Sequence, residues 1–291
     1  MDQTYKPSPS SPVVRLMVLE TDKPHPDTTS ERGTFGRIVH SHFAKAGAAH
    51  HPPLGVETDQ VFVVSEQGGR IPTLHEFDGF HGLLITGSVY DAHADNEWIL
   101  QLLDLLRTLW TTRPDFSFLG VCFGHQLLAR LLGGKVGSAP SKDWELGHSR
   151  IDLTPVGQRL FRTRKGEDYV HLHQMHQDQV TSPPTSASAG PDMLPASTEI
   201  ACWGRSEHTP VQGLYIRNRL FTTQAHLAFD ENMVKRQIQI RVDSGGIKDL
   251  EHADRASETA YLEHDGVEVA KAILRLFVYD EDGWEKEHKS D

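Results

Sequence analysis

The sequence predicts an α/β fold with an open, mostly parallel sheet flanked by helices and a smaller antiparallel β addition. Three observations carry that expectation. Apolar runs at 13–19, 61–64, 82–86 and 116–121 are near-continuous rather than alternating, with Arg15 interrupting the first, as strands buried on both faces read. Between the last two runs, Trp98, Ile99, Leu102, Leu103, Leu106, Leu109 and Trp110 recur at helical spacing behind Asp95, a residue suited to the N-cap. After Gly134 the pattern changes to shorter β-like pieces at 150–153, 200–203, 211–216 and 220–224, the source of the antiparallel addition. Repeated strand–helix–strand units wind a sheet whose ligand site lies at the carboxyl ends of its strands. Gly87 and Cys122 both fall at such ends.

The remaining segments follow from composition. Residues 1–12 carry Pro7, Pro9 and Pro12 among serines and cannot bury apolar area, so they read as a disordered lead-in. One domain spans 13–279. Within it, 182–197 is a Pro/Ser/Ala-rich loop, helical patterns return at 232–242 and 257–277, and 280–291 is a polar tail.

Totals exclude several classes. A net charge of −11 over 291 residues argues against a surface for nucleic acid or anionic membrane. Two cysteines, Cys122 and Cys202, make no disulfide framework. The start Met1-Asp2-Gln3-Thr4-Tyr5 lacks signal-peptide character, and no apolar stretch is long enough to span a bilayer. A cytoplasmic protein is expected. Among 18 histidines, His171, His173 and His176 cluster, but no cysteine or carboxylate with ligand spacing accompanies them, so neither metal nor cofactor is expected. His40, His42, His50 and His51 lie in polar surroundings and read as surface residues.

The segment Gly120-Val121-Cys122-Phe123-Gly124-His125-Gln126 sets a cysteine at a strand-to-helix corner. Flanking glycines suit a bend with no room for a Cβ. The thiol is expected to point outward at the positive end of the following helix, which favours thiolate and nucleophilicity. The bland alternative is a core cysteine on a Gly-rich turn. A nucleophilic thiol needs a base, and His226 follows the strand-like 220–224.

These residues resemble the class I glutamine amidotransferase family, which has a flavodoxin-like sheet. Its members carry a G-x-C-x-G-x-Q elbow and, about a hundred residues later, a strand ending in a catalytic histidine. Cys122, Gln126 and His226 match those positions. Ile85-Thr86-Gly87-Ser88 resembles the family's oxyanion loop, and the stretch from His173 to Val180 resembles its H-x-D-x-V segment, especially in stand-alone, GMP-synthase-like fungal members. The resemblance implies Cys122 and His226 as catalytic residues, Gly87 and Phe123 N–H groups as oxyanion donors, and Gln126 and His176 in substrate binding. It implies attack on the γ-amide of glutamine, a γ-glutamyl thioester, and ammonia released for amidation of a small metabolite. A separate synthetase or acceptor-activating enzyme would then be the partner.

One departure stands out. The family pattern H-P-E places a glutamate after the histidine, where this chain reads His226-Leu227-Ala228. Asp230 is the nearest carboxylate and offers itself as the acid or as a helix N-cap. Three rivals stay open: a γ-glutamyl peptidase acting on glutathione-like compounds, a non-catalytic binding member motivated by Ala228, and an α/β-hydrolase with Asp178 as its acid.

Overall fold

The computed structural model describes residues 12–161 and 166–277; the expected lead-in before residue 12 and the tail at 280–291 lie outside them. The chain runs β1 (Val13–Glu20), α1 (Pro26–Arg32), α2 (Phe35–Ala48), β2 (Gly55–Phe62), β3 (Gly82–Ile85), α3 (Glu97–Thr112), β4 (Ser117–Val121) and α4 (Phe123–Leu131). It continues through β5 (Lys135–Ser138), β6 (Glu145–Leu153), α5 (Pro155–Phe161), β7 (Tyr169–His176), β8 (Asp178–Ser182), α6 (Ser186–Ala189), β9 (Ala201–Arg205), β10 (Gly213–Ile216) and β11 (Leu220–Thr223). Helices α7 (Glu231–Asp243), α8 (Leu250–Glu258) and α9 (Gly266–Arg275) complete it.

One nine-stranded sheet has the order β2-β1-β3-β4-β11-β10-β9-β6-β7, and β5 and β8 form a separate pair. Strands β2, β1, β3, β4 and β11 are mutually parallel; β10, β9, β6 and β7 extend the same sheet antiparallel. The antiparallel addition is therefore chiefly a continuation of the main sheet. It curls back, because the His226 N–H donates to the His173 carbonyl at 2.9 Å, a lone antiparallel bridge from β7 to the chain after β11.

Both faces are covered, as the near-continuous apolar runs require. Met17, Leu19, Phe118 and Leu220 pack with Trp98, Leu102, Leu106 and Leu127 on the α3/α4 side. Leu16, Val18, Leu119 and Phe221 pack with Phe43, Phe161, Ala270 and Ile273 on the α2/α5/α9 side. A smaller cluster of Leu146, Met175, Phe229, Val234 and Ala256 seats α7 and α8.

Several elements differ from expectation for local reasons. β2 starts at Gly55 rather than 61, since an edge strand tolerates the polar Glu57, Asp59 and Gln60. Asn96 is the N-cap of α3, while Asp95 pairs with Arg130 at 2.6 Å. The pattern at 257–277 splits into α8 and α9 because Asp265 leaves the helix to serve the β7 edge. Its N–H donates to the His171 carbonyl at 2.8 Å and its carboxylate accepts the His171 N–H at 2.7 Å. His50 is buried, not superficial, with Nδ1 against the Pro52 carbonyl, and His42 reaches the Gly266 carbonyl. No described helix is long and apolar enough to cross a membrane.

Candidate active site

Cys122 occupies the corner between β4 and α4 with φ 52° and ψ −104°, a conformation costing a non-glycine residue about 1–3 kcal/mol. The surroundings enforce it. The Cys122 N–H donates to the Thr223 carbonyl at 2.8 Å, its carbonyl accepts from Gln126, and the Gly124 N–H donates to the Thr86 carbonyl. A Cβ on Gly120 would stand 2.5 Å from Gly124 backbone, and one on Gly124 would stand 2.3 Å from the Ile85 carbonyl oxygen. The two glycines of the motif thus let α4 press against β3 and β4.

Gly87, just beyond β3, meets this corner. A Cβ there would lie 2.8 Å from Cε1 of His226 and 3.4 Å from Cβ of Cys122, so thiol and imidazole flank the same glycine. Among the described residues the Gly87 N–H has no hydrogen-bond acceptor. The Phe123 N–H points at the Cys122 sulfur.

Among the described residues no carboxylate pairs with His226. Its Nε2 is buried without a hydrogen-bond partner among the described residues. The ring stacks on Phe229 at 4.0 Å and 19°, and the backbone bridge to His173 fixes its base. Asp230 is turned elsewhere: one carboxylate oxygen caps α7 by accepting the Met233 N–H at 2.9 Å, and the other pairs with Arg32. Of the two roles its spacing allowed, the structure displays the N-cap.

Burial decides the electrostatics. Cys122 is 6% exposed, and desolvation pushes its thiol up to about 12, against the pull of the Phe123 N–H and the Arg241 charge. Burial, followed by the charges of His176 and His173, holds His226 down to about 3. Both shifts favour the neutral forms of thiol and imidazole, whereas an outward-pointing thiolate was the expectation. Loss of hydration outweighs a helix N-terminus, whose effect is about 0.3–1 kcal/mol at exposed sites.

Two chambers adjoin the sulfur. A mainly apolar cavity of about 60 Å³ is walled by Phe35, Ile38, Phe43, Leu84 and Phe229 and reaches Asp22, Gly87, His226 and Arg241. An open cleft of about 320 Å³ is lined by Tyr90, Asp91, Gln126, Trp144, His176 and Asp178, again with Arg241. In that cleft the Gln126 side-chain amide donates to the Asp178 carbonyl at 2.8 Å and to Gln224 at 3.1 Å. His176 Nδ1 faces the Asp178 carbonyl and its Nε2 faces Glu145, each at 3.0 Å. Both ring nitrogens of His176 therefore meet acceptors.

Glu145 and Arg241 had no sequence signature. Glu145 is a buried carboxylate whose Oε2 also accepts from Thr209 and Gln212. Burial pushes its carboxyl up, but the bond from His176 and the other donors outweigh it, and the net shift is downward. The histidines at 171–176 do not gather their donor atoms. Among the described residues, the group that does is Asp91, His93 and Asp178, whose ligand atoms lie within 4.8 Å of one another at the cleft mouth.

Comparison with known proteins adds the family context. The family model described as glutamine amidotransferase class-I matches residues 60–237. A Saccharomyces cerevisiae protein provisionally named a glutamine amidotransferase is 31% identical over 204 residues, 69% of this chain and 73% of that one. Gamma-glutamyl peptidase 3 of Arabidopsis thaliana is 28% identical over 209 residues, 71% and 77% of the two chains. A solved glutamine amidotransferase from Thermotoga maritima superposes with a TM-score of 0.60 at 18% identity, covering 90% of this chain and 97% of its own.

Proposed function

Because the chain belongs to the class I glutamine amidotransferase family, we propose that it cleaves the γ-amide bond of glutamine or of a related γ-glutamyl compound through Cys122. The sulfur attacks the γ-carbonyl carbon while the thiol proton passes to His226. The carbonyl oxygen, now an oxyanion, accepts from Gly87 and Phe123 N–H groups, at about 3 kcal/mol per donor. As the C–N bond breaks, His226 returns the proton to the departing nitrogen, leaving a γ-glutamyl thioester that water hydrolyses to glutamate. Gln126 and His176 line the cleft for the glutamyl head. Ammonia released in this way would amidate a small metabolite, activated by a separate synthetase.

The observation that carries this reading is the meeting of Cys122, Gly87 and His226 at one point, with the Gly87 N–H unengaged. A neutral pair suits it, since a thiol and an unprotonated imidazole that flank the same glycine need only one proton transfer. The missing glutamate is offset by stacking on Phe229 and the bridge to His173, which hold the ring without a charge. A second reading, γ-glutamyl peptidase activity on glutathione-like compounds, is favoured by the apolar chamber beside the sulfur, for which ammonia has no use.

The test is incubation with a glutamine-analogue electrophile and, separately, with glutamine and glutathione while glutamate is measured. Labelling at Cys122 that disappears in Cys122→Ala, with glutamate release, is the expected result. Absence of both labelling and release would make the chain a non-catalytic binding member of the family.

A further inference from the structure

Arg241, in the last turn of α7, is the one charged residue that lines both chambers beside Cys122. Its guanidinium has no hydrogen-bond or ion-pair partner among the described residues, although its charge is felt at Asp22, Cys122 and His226. None of its nitrogens is buried away from water, so the five donors stand available to an acceptor that enters from solvent. Gln237, one turn earlier on the same face of α7, lines the same apolar cavity.

The two chambers differ in chemistry. The cleft holds the polar Gln126, His176 and Asp178, whereas the other cavity is mainly aromatic and aliphatic, with Asp22, Gln237 and Arg241 as its charged and amide lining. A γ-glutamyl donor whose polar head occupies the cleft turns its departing amine toward the cavity. Ammonia uses neither the apolar wall nor the cation. An amino acid uses both, its side chain against the wall and its carboxylate on the guanidinium fork.

We propose that Arg241 binds the carboxylate of an amino-acid leaving group, so that the preferred donors are γ-glutamyl amino acids with small apolar side chains rather than glutamine. This deepens the Cys122 reading and rests on it for the chemistry, but not for the binding. Arg241 is thereby a specificity residue.

The experiment compares γ-glutamyl-valine with γ-glutamyl-valinamide, which lacks only the carboxylate charge. Binding is measured calorimetrically to Cys122→Ala, so that turnover plays no part. The acid is expected to bind about tenfold to a hundredfold more tightly than the amide, the range for one charge-assisted contact. Adding Arg241→Met should bring the ratio to about one, and Arg241→Lys should retain part of it. Equal binding of acid and amide, a preference that survives Arg241→Met, or binding of neither compound overturns the assignment. Should Arg241→Met fail to fold, the acid-to-amide ratio in Cys122→Ala still decides. Glutamate release from the same pair by the intact chain separates the two claims. Carboxylate preference without release sinks the Cys122 chemistry alone, and release without preference sinks the Arg241 assignment alone.

Discussion

Gly87→Ala tests the site with a single methyl group. The new Cβ would stand 2.8 Å from Cε1 of His226, whereas carbon atoms rest at about 3.5–4.0 Å. One of the two must yield by about 1 Å. The backbone at Gly87 is not left-handed, so the effect comes from contact and not from a forbidden conformation, and the N–H donor is retained. Gly87 is anchored through its carbonyl, which accepts from Thr21 Oγ1 at 3.0 Å, so the displacement falls on the His226 ring, which is held by stacking on Phe229 and whose Nε2 has no partner among the described residues. A 1 Å misplacement of a reacting group lowers turnover by about a hundredfold, or about 2.7 kcal/mol of barrier. The assay is steady-state glutamate release from a γ-glutamyl compound, with far-UV circular dichroism and thermal unfolding to establish that the variant is folded. Alkylation of Cys122 by iodoacetamide in the same variant checks that the sulfur remains reachable. A folded Gly87→Ala protein with parental kcat would refute the claim that His226 acts from this position.

The remaining predictions concern protonation and burial. Since burial raises the Cys122 thiol to about 12 and lowers His226 to about 3, iodoacetamide labelling of the free protein should accelerate steadily through pH 9; a plateau between pH 5 and 7 would reveal a thiolate–imidazolium pair instead. Glu145→Ala strips a buried carboxylate from His176, Thr209 and Gln212 and should cost about 3–5 kcal/mol in chemical denaturation at pH 7. With the folded carboxyl below its ordinary 4.5, the parental advantage is present in full above that value and is lost as pH falls through the folded one, so an undiminished gap in strong acid contradicts the ion pair. His173, buried with neither ring nitrogen partnered among the described residues, is held down to about 4 by burial. Its neutral form stabilises the fold above pH 6.5, and that contribution declines as pH falls from 6.5 toward 4. His173→Phe should therefore raise Tm relative to the parent more at pH 5 than at pH 8; an equal difference at both would count against it.

What the sequence made legible was whatever contiguous residues encode. The elbow could be read because Gly120 and Gly124 serve one bend, and the parallel strands because burial on both faces leaves an unbroken apolar run. His226 was readable one step less directly, as the residue after a strand. Tertiary partnership was not readable. Asp230 looked equally fit for acid or cap until Arg32, distant in sequence, was seen to take its outer oxygen. Expecting an ionised thiol from the start of α4 treated the helix as if it stood in water, and the packing that desolvates Cys122 comes from other parts of the chain. Arg241 and Glu145 are the sharpest cases, one defined by having no hydrogen-bond partner among the described residues and the other by having several, since neither property has a trace in neighbouring residues.

The bridge between His226 and His173 has a mechanical meaning. The sheet's outermost antiparallel strand is stitched to the chain that follows its central one, and the imidazole hangs from the stitch. Fraying at that border matters more than at most sheet margins, because the bond there is the one that aims the ring. A molecule that begins to come apart there loses the placement of this ring before it loses its shape.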